Sequence, residues 1–388
     1  MLNPAITQLT DALTGVRVLD FSRVLAGPYC TQLFADLGAE VLKIERPGTG
    51  DDTRAWGPPF AGGESAYYLC VNRGKRSLVL DLGSEEGRLR ARRLASRADV
   101  LIENFRVGWM AEHGLGYADL RAENPRLIYC SISGYGQTGP DAHLPGYDFL
   151  TQGRSGLMSI TGEPDGPPLK VGVAVSDLFT GLYAASGILA ALRARERTGE
   201  GAYLDLSLLD CQIATLANVA SNHLISGERP PRYGNAHPNI VPYEVFDAAD
   251  GPFILAVGND AQWRRCCLLL DRPEWADDPR FATNRARVEH REALAALLRE
   301  RFAGRTRAEW LDALRDAHVP AGPVLSVDQV FQDPQVLARG MVRELPHPTA
   351  GTIRMVANPL LREHTPGAPP PRLDEGGAEL AERWLRDA

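Results

Sequence analysis

Asp177 is a carboxylate whose setting could support chemistry. It stands in the otherwise apolar stretch KVGVAVSDLFTG (170–181), at the head of the small-residue run Leu178–Leu192. A carboxylate at the start of a largely buried helix has two uses. It can cap the helix by accepting backbone N–H groups that have no partner in the first turn. It can also be a nucleophile, because desolvation strengthens it while the helix dipole favours its charged form. On these residues alone capping is the commoner use, and it would explain an aspartate here without further function.

Other reactive residues have less context. The eight histidines never recur at i, i+3 or i, i+4 spacing, so a metal would need ligands converging from distant segments. Six cysteines, Cys30, Cys70, Cys130, Cys211, Cys266 and Cys267, include no CxxC pair and read as reduced, mostly buried thiols. No GxxxxGK[ST], HExxH or GxSxG motif occurs. One dinucleotide fingerprint is literal, Gly134-Tyr-Gly136-Gln-Thr-Gly139. It follows a strand-like run, but Pro140, Asp141 and Pro145 come next and leave no helix N-terminus for a pyrophosphate. It reads as a structural turn near a site. Carboxylate chemistry or a backbone-lined pocket remains.

The elements that must position such a site follow from periodicity. Val16–Phe21 (VRVLDF) reads as a buried strand, followed by a helix near Tyr29–Leu37 and a strand at Val41–Ile44. This is a βαβ unit, which builds a parallel sheet with ligands at the strand C-terminal ends. Further strands are read at Ser77–Asp81, Val100–Ile102 and Leu127–Ile132, with a helix at Ser84–Ala98 capped by Ser84. The opening of the chain is therefore α/β, a Rossmann-like doubly wound domain. Val175–Arg195 reads as a long helix, Tyr203–Leu206 as a strand and Leu208–Leu224 as one apolar helix. The Gly/Pro/Asn/His-rich stretch Gly227–Pro242 marks a domain boundary. Beyond it, Tyr243–Asp247 and Phe253–Val257 flank Asp250-Gly251 as a hairpin. Arg-rich amphipathic helices run from Gln262 through Ala317, Pro346–Pro371 is strand and loop, and Gly376–Arg386 is a short polar helix. The resulting division is a large α/β domain over 1–225, a smaller α+β domain over 226–320 and a C-terminal segment over 321–388.

Composition agrees with a globular enzyme of more than one domain. The 388 residues exceed the ~250–300 at which a single core stops growing. With 42 Lys+Arg against 49 Asp+Glu, the net charge is −7. That argues against nucleic-acid and membrane-surface partners, which need a positive field, but not against a phosphate-bearing ligand held by a few arginines. Glycine (38) and proline (28) together exceed their usual share of about 12%, which predicts many backbone-lined turns. Met1–Thr14 lacks the basic start and apolar stretch of a signal peptide, and Leu178–Leu192 is shorter than the ~20 residues of a membrane span. The expected location is the cytoplasm.

Several ordered stretches resemble one family. Gly15-Val-Arg-Val-Leu-Asp-Phe21, Leu25-Ala-Gly-Pro28 and Gly38-Ala-Glu-Val-Leu-Lys-Ile-Glu-Arg46-Pro-Gly48 are followed by Asn72-Arg-Gly-Lys-Arg-Ser77 and Glu103-Asn-Phe-Arg106. Ser133-Gly-Tyr-Gly-Gln-Thr-Gly-Pro140, Val175-Ser-Asp177 and Arg197-Thr-Gly-Glu-Gly201 complete the set. Together they resemble the family III CoA-transferases (the CaiB/BaiF family), whose relatives include formyl-CoA transferase, carnitine CoA-transferase and α-methylacyl-CoA racemase. The resemblance implies that Asp177 is the nucleophile, attacking an acyl-CoA thioester and then carrying CoA as an aspartyl thioester. It assigns coenzyme A contacts to Leu25, Ala26, Arg46, Leu80, Asn104, Phe105, Arg106, Gly146 and Tyr147. Acyl-CoA and a carboxylic acid would be the substrates, with no metal and no separate cofactor. Many relatives carry a basic residue where this chain reads Met110-Ala-Glu-His-Gly114, so Glu112 would remove a phosphate contact and leave more of that role to Arg106.

Within the family, the racemase branch places a His immediately before an Asp. This chain has Tyr147-Asp148 there, so an α-methylacyl-CoA racemase, the alternative activity, would lack one of its two bases. Leu25 replaces the glutamine of formyl-CoA transferases. The stretch Gly234-Asn-Ala-His-Pro-Asn-Ile-Val-Pro-Tyr243 is similar to the branch that moves CoA between dicarboxylic acids such as succinate, glutarate or mesaconate. In that reading Tyr147, Asn235 and His237 meet the substrate; a rigid turn, with His237 merely hydrogen-bonded, is the other reading of the same stretch. The resemblance also implies an interlocked homodimer whose C-terminal segment returns to the first domain from about Ala321.

Overall fold

The computed structural model describes residues 9–387, so part of the Met1–Thr14 segment lies outside the described residues. Six short strands form one sheet: β1 (Arg17–Asp20), β2 (Glu40–Glu45), β3 (Arg76–Val79), β4 (Val100–Glu103), β5 (Ile128–Ser133) and β6 (Ala202–Ser207). Every neighbouring pair is parallel, in the order β3-β2-β1-β4-β5-β6. The inner strands β1, β4 and β5 are near-continuously apolar because the sheet is buried there on both faces, whereas the edge strand β6 alternates. Val18, Val41, Val100 and Ile128 point to one side, where helices α1 (Ala26–Asp36) and α4 (Val175–Thr198) cover them with Phe34, Ala184 and Ile188. Leu19, Leu42, Leu101 and Tyr129 point to the other, under Ala91 and Leu94 of α2 (Glu85–Ala95) and Trp384 of the terminal helix Gly377–Arg386. Successive residues of one strand therefore feed two cores. Each fully buried aliphatic side chain contributes about 1.5–3 kcal/mol.

The chain winds outward from β1 in both directions, so the connections reverse between β1 and β4. Ligands of such sheets sit outside the carboxyl ends of the strands at that point. The loops there begin at Phe21, Asn104 and, one strand over, Gly134. Two further helices border the same end: α3 (Asp148–Arg154) and α5 (Leu208–Ala214).

By compactness, residues 1–157, 171–216 and 331–388 form one unit and residues 158–170 and 217–330 a second. These limits differ from 225/226 and 320/321, and the short segment 158–170 joins the second unit without a sequence signal. The second unit has an antiparallel sheet with Gly251–Ala256 between Tyr243–Ala248 and Ala321–Pro323. Its core is aromatic: Phe246, Phe253, Trp263, Phe302 and Trp310 pack together, and Trp310 Nε1 donates to Phe302 O at 2.8 Å. The Asp250-Gly251 hairpin and the Ser84 cap, which accepts the Gly87 N–H at 3.0 Å, form as expected.

Three sequence expectations need correction. The apolar stretch Leu208–Leu224 is not one helix, because Ala217 sits at φ 44° and divides α5 from Ala217–Ser226. The run Leu178–Leu192 read as too short for a membrane span, but α4 around it, read as Val175–Arg195, has 24 residues that suffice by length and composition alone to cross one. In this fold its Ala184, Ala185 and Ile188 are buried against the sheet. The terminal helix is amphipathic rather than polar: Leu380, Ala381 and Trp384 are buried, and Trp384 Nε1 donates to Glu40 Oε2 at 2.7 Å.

Candidate active site

Asp177 is the third residue of α4, and the helix begins after Ala174 with no side-chain cap from its own end. The capping role is filled from another element. Asp148, at the start of α3, accepts the Ser176 N–H through Oδ1 at 2.8 Å and the Gln152 amide through Oδ2 at 2.8 Å. Ser176 Oγ in turn donates to Gln212 Oε1 of α5 at 2.8 Å, and Gln152 and Gln212 are both buried. Two helices, α3 and α5, thus fasten the start of α4. Asp177 is left with its carboxylate uncommitted to any hydrogen-bond donor among the described residues.

Burial first, and the negative charge of Asp148 second, push the Asp177 carboxyl up to about 7. The desolvation that strengthens a nucleophile has outweighed the helix dipole that would keep it ionised. The phenol of Tyr67 is itself raised, by burial first and by the field of Asp177 second. Nothing in the sequence singled out Tyr67.

A cavity of about 370 Å³ holds Asp177 with Asp148, Ala26, Asn104, Phe105, Arg106, Gly146 and Tyr147. These residues come from the ends of β1, β4 and β5 and from the starts of α1, α3 and α4, at the reversal of the sheet. Arg23, Val24, Asp52, Ser133 and Gly134 complete its wall. The residues read from sequence do not all gather there. Leu25 and Leu80 are buried, and the Leu80 side chain packs in the core beneath α2, so only its backbone could meet a ligand. Arg46 is exposed in the loop after β2. Its Nε donates to Thr49 Oγ1 at 2.7 Å and its guanidinium pairs with Asp52.

Arg106 is similarly occupied. It donates to Glu112 through both terminal nitrogens, one of them at 3.1 Å. Glu112 therefore does more than omit a cation: it engages the arginine expected to compensate. Arg23 was missed in the sequence, although it follows β1 as Arg46 follows β2 and Arg106 follows β4. Its guanidinium lies 5.2 Å from the Phe105 ring centre and 3.5 Å from Asp52. Glu103 was missed too. Burial pushes it up to about 7 while it accepts the Phe105 N–H at 2.9 Å, fastening the segment that frames the cavity.

Asn235 and His237 lie in the second unit. Asn235 is exposed on a small cavity with Arg291 and Arg299. His237 Nδ1 accepts the Asn239 N–H at 3.0 Å, so in the neutral ring the proton sits on Nε2, free to donate. Burial and Arg291 lower its pKa, which favours that neutral form.

The chain belongs to CoA-transferase family III, whose profile matches residues 13–376. It is accordingly an enzyme that moves coenzyme A between a thioester and a carboxylate. Among characterised relatives, a succinate–glutarate CoA-transferase of Agrobacterium fabrum is 52% identical over 377 residues, 95% of this chain and 94% of the relative. A succinyl-CoA:glutarate CoA-transferase of Homo sapiens is 44% identical, covering 96% of this chain and 86% of its own. The crystal structure of a CaiB/BaiF family protein from Brucella suis has a TM-score of 0.83 at 47% identity, covering 96% and 98% of the two chains.

Proposed function

We propose that the protein takes CoA from succinyl-CoA and passes it to another dicarboxylic acid, glutarate first among the candidates, through a CoA thioester on Asp177. The observation that carries this reading is the division of labour at the start of α4. Asp148 does the capping, and Asp177 is held free, partly desolvated and more basic than an ordinary aspartate, in a cavity at the sheet's reversal point. Its carboxylate attacks the donor thioester carbonyl, forming a mixed anhydride and releasing CoA thiolate. The thiolate attacks the aspartyl carbonyl and expels succinate. The acceptor carboxylate then attacks the aspartyl thioester, and the returning thiolate takes the new acyl group and frees Asp177. Each intermediate would be lost to water, so water has to be kept from Asp177 while the intermediates last.

In this reading Arg23, Arg46 and Arg106 attract the CoA phosphates, with Asn104 and Phe105 shaping the path to Asp177. Mass analysis of CoA esters after mixing enzyme, succinyl-CoA and a panel of acids tests it. Glutaryl-CoA should form without net hydrolysis; exchange of α-hydrogen in deuterium oxide with no acceptor present would instead mark the racemase chemistry. Because Arg106 is tied to Glu112, Glu112→Gln should lower KM for succinyl-CoA about two- to fivefold at low salt and less at high salt, as for any exposed charge. An unchanged KM would separate Arg106 from CoA binding.

Asp177 must be ionised to attack, so kcat/KM should rise with pH through a midpoint near 7. Asp148→Asn removes a like charge and should move that midpoint down, raising relative activity on the acid side. Because burial is the larger cause, the midpoint should remain above that of an ordinary aspartate. A midpoint that stayed fixed would deny Asp148 this influence.

The same reading includes an interlocked homodimer in the cytoplasm. Phe149, Leu150, Phe179, Leu182, Tyr183 and Leu189 of the first unit are large apolar side chains left exposed, four of them on α4, which a partner subunit would cover. The six free thiols fit a reducing compartment. A dimer persisting at nanomolar dilution, with subunits exchanging only after unfolding, is the expected behaviour.

A further inference from the structure

Val24 has φ 71°, a left-handed conformation that a β-branched residue adopts only under constraint. It lies in the loop between β1 and α1 and lines the cavity that contains Asp177. Successive peptide groups before it are gripped by side chains. Asp20 accepts the Ser22 N–H at 2.9 Å, and Lys43 Nζ donates to Ser22 O at 2.8 Å. Asn104 accepts the Arg23 N–H at 2.9 Å and donates back to Arg23 O at 2.8 Å. Asp51 accepts the Val24 N–H, at 3.3 Å from each oxygen.

Two of these holds, those of Lys43 and Asp51, meet in one buried ion pair. Lys43 Nζ and Asp51 Oδ2 are 2.9 Å apart, and both side chains are fully shielded from solvent. Lys43 holds one end of the loop through Ser22, and Asp51 holds the other through Val24. Asp51 is itself fixed, accepting the Thr53 N–H at 3.0 Å and the Thr53 hydroxyl at 2.8 Å. Burial would raise its pKa, but Lys43 and the Thr53 N–H hold it at about 2. Such a pair is weak evidence for stability, since apolar residues of similar volume often serve a core as well or better. Its contacts point to another use.

We propose that the Lys43–Asp51 pair is a positioning device for the transfer reaction, holding Val24 in its strained conformation at the wall of the cavity that contains Asp177. The proposal rests on the reading of that cavity as the site of CoA transfer. Without the pair, Val24 relaxes to negative φ and the loop leading into α1 shifts against the reacting groups. A displacement of this size costs rate far more than it costs binding.

The test compares Lys43→Met and Asp51→Asn, each alone and combined with Val24→Gly, in steady-state transfer from succinyl-CoA to glutarate. Each single variant should keep its circular dichroism while kcat falls about ten- to hundredfold and KM for succinyl-CoA changes less than about threefold. Adding Val24→Gly should restore kcat about fivefold or more, because glycine takes positive φ without steric cost. A merely structural role for the pair predicts no such rescue. An unchanged kcat in folded Asp51→Asn, or the absence of rescue by Val24→Gly, overturns the proposal. Asp51→Asn is isosteric and decides the matter if Lys43→Met does not fold. Asp177→Ala is assayed alongside: turnover surviving there overturns the reading of Asp177, whereas turnover lost there but intact in Asp51→Asn overturns the clamp alone.

Discussion

Replacing Asp177 by asparagine should lower kcat for CoA transfer by about four orders of magnitude, with loss of any hydroxylamine-sensitive CoA adduct on the protein. The amide has nearly the same shape but cannot donate an electron pair to a thioester carbonyl as a carboxylate does. The same substitution should stabilise the fold at neutral pH. Asp177 titrates near 7 in the folded protein against 3.8 for an ordinary aspartate, so between those values the folded state holds a proton that the unfolded state has lost. Stability contributed by this group is therefore present at low pH and declines as pH rises from about 4 to 7, by at most about 4 kcal/mol. Asparagine has no charge to bury. Thermal melts at pH 5 and pH 8 should show wild type losing more stability between the two than Asp177→Asn does. Equal losses, or turnover within tenfold of wild type, would remove Asp177 from the centre of the reaction.

The same carboxylate shows what can and cannot be read from sequence. Its apolar surroundings and helix-start position were legible, because both are local. Which of capping and catalysis it performs was not, because the answer depends on Asp148, which lies in another helix and accepts the Ser176 N–H across 28 residues. The sheet was legible for the opposite reason. A strand buried on both faces is mostly apolar, so VRVLDF and VLKI stand out without knowledge of their partners, although Asp20 and Lys43 within them are buried charges. Boundaries that depend on one residue's dihedral were lost: nothing in the apolar stretch Leu208–Leu224 marks Ala217 as the residue at φ 44°. Arg23 could have been found, since it follows a strand of the parallel sheet as Arg46 and Arg106 do. Glu112 was read as a missing cation. That its carboxylate reaches Arg106 is a matter of the turn between them, which composition does not specify. The clamp on Val24 was equally hidden, because Lys43 and Asp51 are ordinary charged residues until burial brings them together.

Gly146→Ala should reduce kcat/KM by about a hundredfold or more and destabilise the fold by about 1–3 kcal/mol. The literal GxGxxG at Gly134–Gly139 is a backbone crossing: a Cβ on Gly146 would lie 2.1 Å from Gly134 Cα, and one on Gly134 would lie 2.4 Å from Gly146 Cα. No side-chain rotation can relieve a clash between two main chains, so the two segments must part. Both line the cavity, and the segment that moves leads through Tyr147 directly into Asp148, which fastens the start of α4. A methyl group at 146 would thus be felt at Asp177 through a chain of covalent and hydrogen-bonded neighbours. Gly139 offers the contrast inside the same fingerprint. It has φ 93°, but a Cβ there would meet nothing within 4 Å, so Gly139→Ala bears only conformational strain of about 1 kcal/mol. Assayed together, the two variants separate strain from crossing. A large activity loss at Gly146 with a small one at Gly139 supports the crossing as part of the site's wall, and equal small losses at both would show that the cavity tolerates the separation.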